Sequence, residues 1–200
     1  MTALAQAAVG RARRRSFPFE LALVTGGAGL IALLAQVSVR LPFTPVPVTG
    51  QTLGVLLVGA SLGSIRGLTS TLLYVGAGAA GLPVFAEGSA GRALLLPGSP
   101  TGGYLWGFVL AALLIGWLSE RGWDRGLGSA LGAMLLGEIV IFTLGVVWLS
   151  GALDVPGAQA LRLGLYPFVL GDLIKLLLAA GVMPLAWKVI TPRPPVSLRL

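Results

Sequence analysis

Apolar residues fill long, nearly unbroken stretches of this chain, from about Phe19 to Val39, Val48 to Ser64, Leu68 to Phe85, Gly103 to Leu118, Leu127 to Leu149 and Leu163 to Trp187. A hydrocarbon core of about 30 Å takes roughly 20 predominantly apolar residues per helix, so the pattern predicts six membrane-spanning helices, the second and fourth short. The stretches are apolar on every side and lack the strict alternation of a β-barrel strand. The expected fold is therefore an all-α integral membrane protein, a bundle of six transmembrane helices. No A-x-A site follows the first apolar run, and that run exceeds the roughly 7–15 residues of a signal-peptide core, so it is expected to be a retained span.

Composition agrees, with 56% hydrophobic and only 10% charged residues, against about a quarter charged in soluble domains. Cysteine and histidine are both absent. Their absence removes thiol and Ser/His nucleophilic chemistry and nearly every zinc arrangement. The net charge of +7 would suit a nucleic-acid partner if it were clustered on one surface, but its distribution fits a membrane topology. With six spans, one side holds Arg11, Arg13, Arg14, Arg15, Arg66, Arg121, Arg125, Lys188, Arg193 and Arg199, and the other holds only Arg40, Arg92 and Arg162. That bias predicts cytoplasmic termini, with residues 1–16 and 189–200 as tails flanking one membrane domain at 17–188.

The connections carry their own signals. "VRLPFTPVPVTG" (39–50) contains Pro42, Pro45 and Pro47, which predicts a stiff, extended link between the first two spans on the outer side. "AEGSAGRALLLPGSPTGG" (86–103) is glycine-rich, carries Glu87 and Arg92, and is long enough to fold over an outer mouth. Small residues recur four apart at Ala22 and Gly26, Ala28 and Ala32, Ala77 and Gly81, and Gly128 and Gly132, a spacing that suits close helix packing or docking to another membrane subunit.

Asp172 and Lys175 stand inside an apolar span at i and i+3, on one helix face, where they can neutralise each other. An ionised side chain at mid-bilayer costs about 2.5–3.5 kcal/mol on insertion scales, so a pair kept there is either a structural ion pair or a binding site. As a site it offers acceptors and donors side by side with no net charge, which fits a neutral ligand edge of N–H groups and a carbonyl. Glu138, deep in the fifth span, either faces the same cavity or bonds a neighbouring helix. Gln51 is a helix cap or a ligand contact. Tyr104, Trp106 and Phe85 are interfacial aromatics or walls for a ring, and Arg92 is a solvated loop cation or a partner for a ligand carboxylate.

The runs "LPFTPVPVTGQTL" (41–53), "GLPVFAEGSAG" (81–91), "PTGGYLWGF" (100–108), "IFTLGVVWL" (141–149) and "PFVLGDLIK" (167–175) occur in the order and spacing of one family. From about residue 17 to 187 the chain resembles BioY, the biotin-specific S component of energy-coupling factor transporters. The resemblance implies a six-helix subunit of the cytoplasmic membrane that takes biotin from the outside and works with a transmembrane coupling subunit and ATPase subunits. It implies that Asp172 accepts from a ureido N–H while Lys175 donates to the ureido oxygen or fixes the aspartate. Tyr104 and Phe85 would wall the bicycle, Arg92 or loop N–H groups would take the valerate, and Gln51 would join the pocket. Ala28 and Ala32 match the small-residue face used against the coupling subunit. Position 142 is expected to be tyrosine more often than the Phe142 found here.

No Walker motif is present, so ATP hydrolysis would come from partner subunits, and biotin is cargo rather than a cofactor. The alternatives are a stand-alone proton-coupled carrier, with Asp172 or Glu138 titrating, and an intramembrane enzyme using the same two acids. No inverted hydropathy repeat favours the carrier, and nothing beyond the acids favours the enzyme.

Overall fold

The computed structural model describes residues 3–8 and 17–190, so Arg11, Arg13, Arg14, Arg15, Arg193 and Arg199 lie outside the described residues. In chain order the elements are α1 (Leu4–Ala8), α2 (Phe17–Ala35), β1 (Ser38–Val39), β2 (Val48–Thr49), α3 (Gln51–Leu62), α4 (Ser64–Ala79), α5 (Gly102–Glu120), α6 (Leu127–Leu153), α7 (Gly157–Gly164) and α8 (Val169–Ile190), with short 3-10 turns at Ala86–Gly88 and Arg92–Leu95. Four helices, α2, α5, α6 and α8, are long and apolar enough to cross a membrane. The chain is an all-α, multi-pass membrane protein. Its outward faces are what a bilayer would cover: Leu33, Ile139, Val147, Leu170 and Val189 are all exposed.

The expected second and third spans form shorter helices of 12 and 16 residues, α3 and α4. At about 1.5 Å per residue α3 is only about 18 Å long, so it leaves space at one end of the bundle. The proline-rich link fills part of that space. Rather than running extended throughout, it closes as an antiparallel pair, Ser38 opposite Thr49 and Val39 opposite Val48. The third run also ends early. α4 stops at Ala79, and Phe85 lies beyond it in the connection.

The sixth run is two helices rather than one. It breaks at residues 165–168, around Pro167, where a helix cannot continue undisturbed. A break inside a membrane domain frees carbonyls that must find donors. Here Thr44 Oγ1 donates to Leu163 O at 2.7 Å, and Tyr104 Oη donates to Gly164 O at 2.7 Å.

α5 is the most buried of the long helices, and glycine contacts draw its neighbours in. A Cβ at Gly107 would lie 2.9 Å from Ile141 Cα of α6, and one at Gly59 of α3 would lie 2.9 Å from Ala112 O of α5. These are not the small residues whose spacing suggested packing. Gly26, Gly81 and Gly128 have open space where a Cβ would stand. Ala28 and Ala32 turn inward, Ala28 into the core at 8% exposure and Ala32 packed against it. The exposed small residues of α2 are instead Ala22, Gly26 and Gly29.

At the end away from the β pair, Gly63 links α3 to α4 with φ of 89°, a left-handed value that glycine tolerates. The Glu120 carboxylate accepts from Ser64 N–H at 2.8 Å and serves α4 as a cap from outside the helix. The Arg66 guanidinium holds Glu20 through two bonds of 2.5 Å and ties α4 to α2. Within the segment expected as tail, Leu4–Ala8 forms a short helix that packs on α3 and α8.

Candidate functional site

The space left by the short α3 is a cavity of about 260 Å³. Its polar floor comes from the first turn of α3 and the start of α8. Lys175 Nζ lies 2.5 Å from Asp172 Oδ1 and donates to Thr49 O at 2.6 Å and Thr52 Oγ1 at 3.0 Å. Thr52 Oγ1 donates in turn to Asp172 Oδ1 at 2.7 Å. All three ammonium protons are thus engaged within the protein. Asp172 Oδ2 has no partner although it is buried. The floor consequently offers a carboxylate acceptor that a fixed lysine orients, on the first turn of a helix whose dipole favours negative charge. Of the two roles suggested for Lys175, fixing the aspartate is the one this geometry serves.

Gln51 opens α3 but does not cap it with its side chain. Its Nε2 donates to Tyr74 Oη at 2.5 Å and its Oε1 accepts from Thr49 Oγ1 at 2.8 Å, so the amide is held at the cavity wall. Phe85 is 2% exposed, lines the cavity, and meets Tyr74 edge to ring with centroids 5.5 Å apart. Opposite stand Tyr104, Phe142 and Phe168, with centroids 6.0–6.5 Å apart. Tyr104 sits inside the cavity rather than in an interfacial belt, whereas Trp106 is exposed and outside the lining.

The roof is the 86–101 connection, anchored by Gly91 N–H to Gly78 O at 2.8 Å and by the Trp148 indole N–H to Ser99 O at 2.9 Å. Ala86, Glu87, Ser89, Leu94 and Ser99 face the cavity, as expected of a segment folded over a mouth. Arg40, from the link after β1, lines the mouth and pairs with Glu87, a residue held at φ of 59°. Arg92 is exposed on the second 3-10 turn and stands outside the lining, two residues from Leu94. Glu138 is also absent from this lining. It borders a neighbouring groove between α6, α7 and α8 that shares Asp172 and Phe142 with the cavity.

Several wall residues escaped the sequence reading. Thr49 and Thr52 lie in the "TGQT" run beside Gln51, and a threonine repeated at the mouth of an apolar helix was a usable signal. Arg40 and Phe168 gave none, because their roles depend on Glu87 and Tyr104, distant in the chain, and neither did Tyr74, which stands behind the wall and holds Gln51 and Phe85.

The BioY family model matches residues 7–192 of this chain. The chain belongs to the BioY family. Its relatives include the biotin transporter BioY of Thermotoga maritima, 40% identical over 156 residues that cover 76% of this chain and 89% of the relative. The biotin transporter BioY of Rhizobium etli is 35% identical over 158 residues, 76% of this chain and 83% of that one. The biotin transporter BioY2 of Lactococcus lactis subsp. cremoris is 35% identical over 160 residues, 80% and 85% of the two chains. A crystal structure of the S-component for biotin from an ECF-type ABC transporter superposes with a TM-score of 0.78 at 26% identity, covering 90% of this chain and 95% of that one. Family membership thus agrees with the resemblance carried by the five ordered motifs.

Proposed function

We propose that this chain is a biotin-binding S component, the substrate-specific subunit through which an energy-coupling factor transporter takes up biotin. The observation that carries the reading is the cavity floor, where Lys175 and Thr52 orient Asp172 and leave Oδ2 as an acceptor beneath an aromatic wall. Biotin combines a ureido ring with two N–H donors, a thioether ring and a valerate carboxylate. Asp172 Oδ2 accepts one ureido N–H, and Phe85, Tyr104, Phe142 and Phe168 enclose the bicycle. The remaining Gln51 amide proton reaches the ureido oxygen or the ring edge.

The valerate points to the mouth, where Arg40 lines the wall and Arg92 stands on the roof segment. Arg40 already pairs with Glu87, so Arg92, which makes no ion pair among the described residues, takes the new carboxylate by paired N–H bonds as the roof settles. Six crossings are completed if α3 with the β pair and α4 with the segment after it each count as one. The described basic residues Arg66, Arg121, Arg125 and Lys188 gather at the end opposite the cavity, which supports cytoplasmic termini and a site that opens to the outside. A transmembrane coupling subunit would meet the exposed Ala22, Gly26 and Gly29 side of α2, and ATPase subunits would drive release.

The test is equilibrium binding of labelled biotin to the purified chain in detergent, beside Asp172→Asn, Thr52→Val and Arg92→Ala. Binding by the parent that Asp172→Asn abolishes, and that Arg92→Ala weakens about tenfold or more through loss of a charge-assisted contact, is the expected result. No binding by the parent, or equal binding by Asp172→Asn, overturns the assignment. Vesicle uptake that ignores ATP but collapses with a proton uncoupler overturns the partner-driven mechanism in favour of a proton-coupled carrier.

A further inference from the structure

Beyond Asp172, on the side away from the cavity, a groove of about 700 Å³ runs between α6, α7 and α8. Its walls are mostly aliphatic, among them Leu135, Ile139, Val146 and Leu173. Glu138 lines it, is 5% exposed, and has no hydrogen-bond partner on either carboxylate oxygen. Asp172 lines both spaces, and its Oδ2 is unpartnered too, while Oδ1 takes both Thr52 and Lys175. Two buried acids beside one groove therefore present three orphan oxygens between them.

The charges around them can be counted. Glu138 on α6 interacts electrostatically with Asp172 and Lys175 on α8. On α5, Tyr104 lies in the field of Asp172, and its hydroxyl proton is committed to Gly164 O. The other charged residues that line either space, Arg40 and Glu87, pair with each other at the mouth. With both acids ionised the cluster would keep one uncompensated negative charge inside the span, an unfavourable state at that depth. One proton makes it neutral. Asp172 already takes an ammonium and a hydroxyl proton on Oδ1, whereas both Glu138 oxygens are orphans, so the proton is assigned to Glu138. A protonated carboxyl has one O–H to donate, and Asp172, which borders the same groove, has an orphan acceptor in Oδ2.

We propose that Glu138 is a positioning residue of the ligand site, holding one proton that it donates to Asp172 Oδ2 from the groove side. The carboxylate plane of Asp172 is then fixed at both oxygens, and the second lone pair of Oδ2 faces the ligand N–H from the cavity side. This rests on the reading of Asp172 as the ligand's acceptor, but the proton itself can be tested without ligand.

Infrared spectra of the ligand-free purified chain at neutral pH are expected to contain a protonated-carboxyl C=O band that Glu138→Gln removes and that Asp124→Asn, the control for a buried acid with one orphan oxygen, leaves in place. Biotin binding measured from pH 6 to 10 is expected to weaken about ten- to a hundredfold on the alkaline side, as the proton leaves and Oδ2 loses its donor. Glu138→Gln keeps an N–H donor and is expected to match the parent at neutral pH while losing the alkaline fall. Glu138→Met is expected to bind about ten- to a hundredfold more weakly at every pH. A band unchanged in Glu138→Gln overturns the proton assignment, and a Glu138→Gln variant that retains the alkaline fall overturns the positioning role. A band that behaves as expected in a chain that binds no biotin upholds the proton and overturns the ligand reading, so the two failures are distinct. If Glu138→Met does not fold, the spectra and the Glu138→Gln pH profile still decide.

Discussion

Replacing Lys175 with methionine separates what the buried pair does for stability from what it does for recognition. The side chain is 14% exposed and its ammonium reaches Asp172 Oδ1, Thr49 O and Thr52 Oγ1, so the substitution removes three contacts and strands a carboxylate in an apolar span. Breaking a buried pair from one side costs about 3–5 kcal/mol, which in a chain of this length lowers a melting midpoint by roughly 6–20 °C. Adding Asp172→Asn to Lys175→Met removes the stranded charge. The double variant is then expected to recover most of the lost stability, because a buried pair and an uncharged replacement of similar volume are often nearly equal in free energy. Biotin binding should not recover, since the oriented acceptor is gone. Thermal unfolding in one detergent, followed by fluorescence alongside labelled-ligand binding, reads both quantities. A Lys175→Met chain that melts with the parent would refute the claim that the pair is buried and coupled. A double variant that binds biotin would refute its role in recognition.

Three further substitutions probe the surroundings. Gly145→Ala places a Cβ 2.2 Å from Tyr104 Cε1, so the ring must tilt away from Gly164 O. A loss of about 1–3 kcal/mol with weakened binding is expected from melting and titration, and no change in either would contradict the packing. Gly116→Ala brings a Cβ within 2.4 Å of the Gly63 and Ser64 backbone at the end away from the cavity; it should destabilise by a similar or larger amount yet leave the affinity of the folded fraction unchanged. Asp124, in the connection between α5 and α6, is fully buried; burial pushes its carboxyl above the ordinary range, opposed by the Trp187 indole N–H at 2.5 Å and by Arg125. The folded chain thus keeps that proton to higher pH than the unfolded chain, and the stability this confers at low pH is lost as pH rises from about 4. Asp124→Asn still accepts from Trp187, so the advantage of the parent over the variant should shrink with rising pH in melting curves; parallel curves would contradict the assignment.

The multi-span membrane class and the polar pair were legible in the sequence, because a bilayer requires long uncharged runs and penalises every charge placed in one. Element ends were less legible. Hydropathy cannot separate α7 from α8, since Leu165 and Phe168 in the break are as apolar as the helices beside them. It also carried the third run on to Phe85, which is buried by its contact with Tyr74 rather than by being helical. Among site residues, Asp172, Lys175, Tyr104, Phe85 and Gln51 do line one cavity. Glu138 and the outward side of α2 depend on helix rotation, which an all-round apolar pattern leaves undetermined. Ala28 and Ala32 share the spacing of an interface, yet Ala28 is buried and Ala32 half-buried, a difference set by how α2 packs against α3 and α4.

The two donors that satisfy the break between α7 and α8 have a mechanical consequence. Thr44 belongs to the link over the mouth and Tyr104 to the central helix, so the end of α7 hangs from two separate parts of the molecule. The link cannot lift without freeing Leu163 O inside an apolar environment, or else dragging the break with it. The outer link and the end of α7 are therefore one mechanical unit, joined to α8 only through the four-residue break at 165–168. The Tyr104 hydroxyl pins that unit to α5, so the break before α8 is a fixed point of the bundle rather than a loose joint.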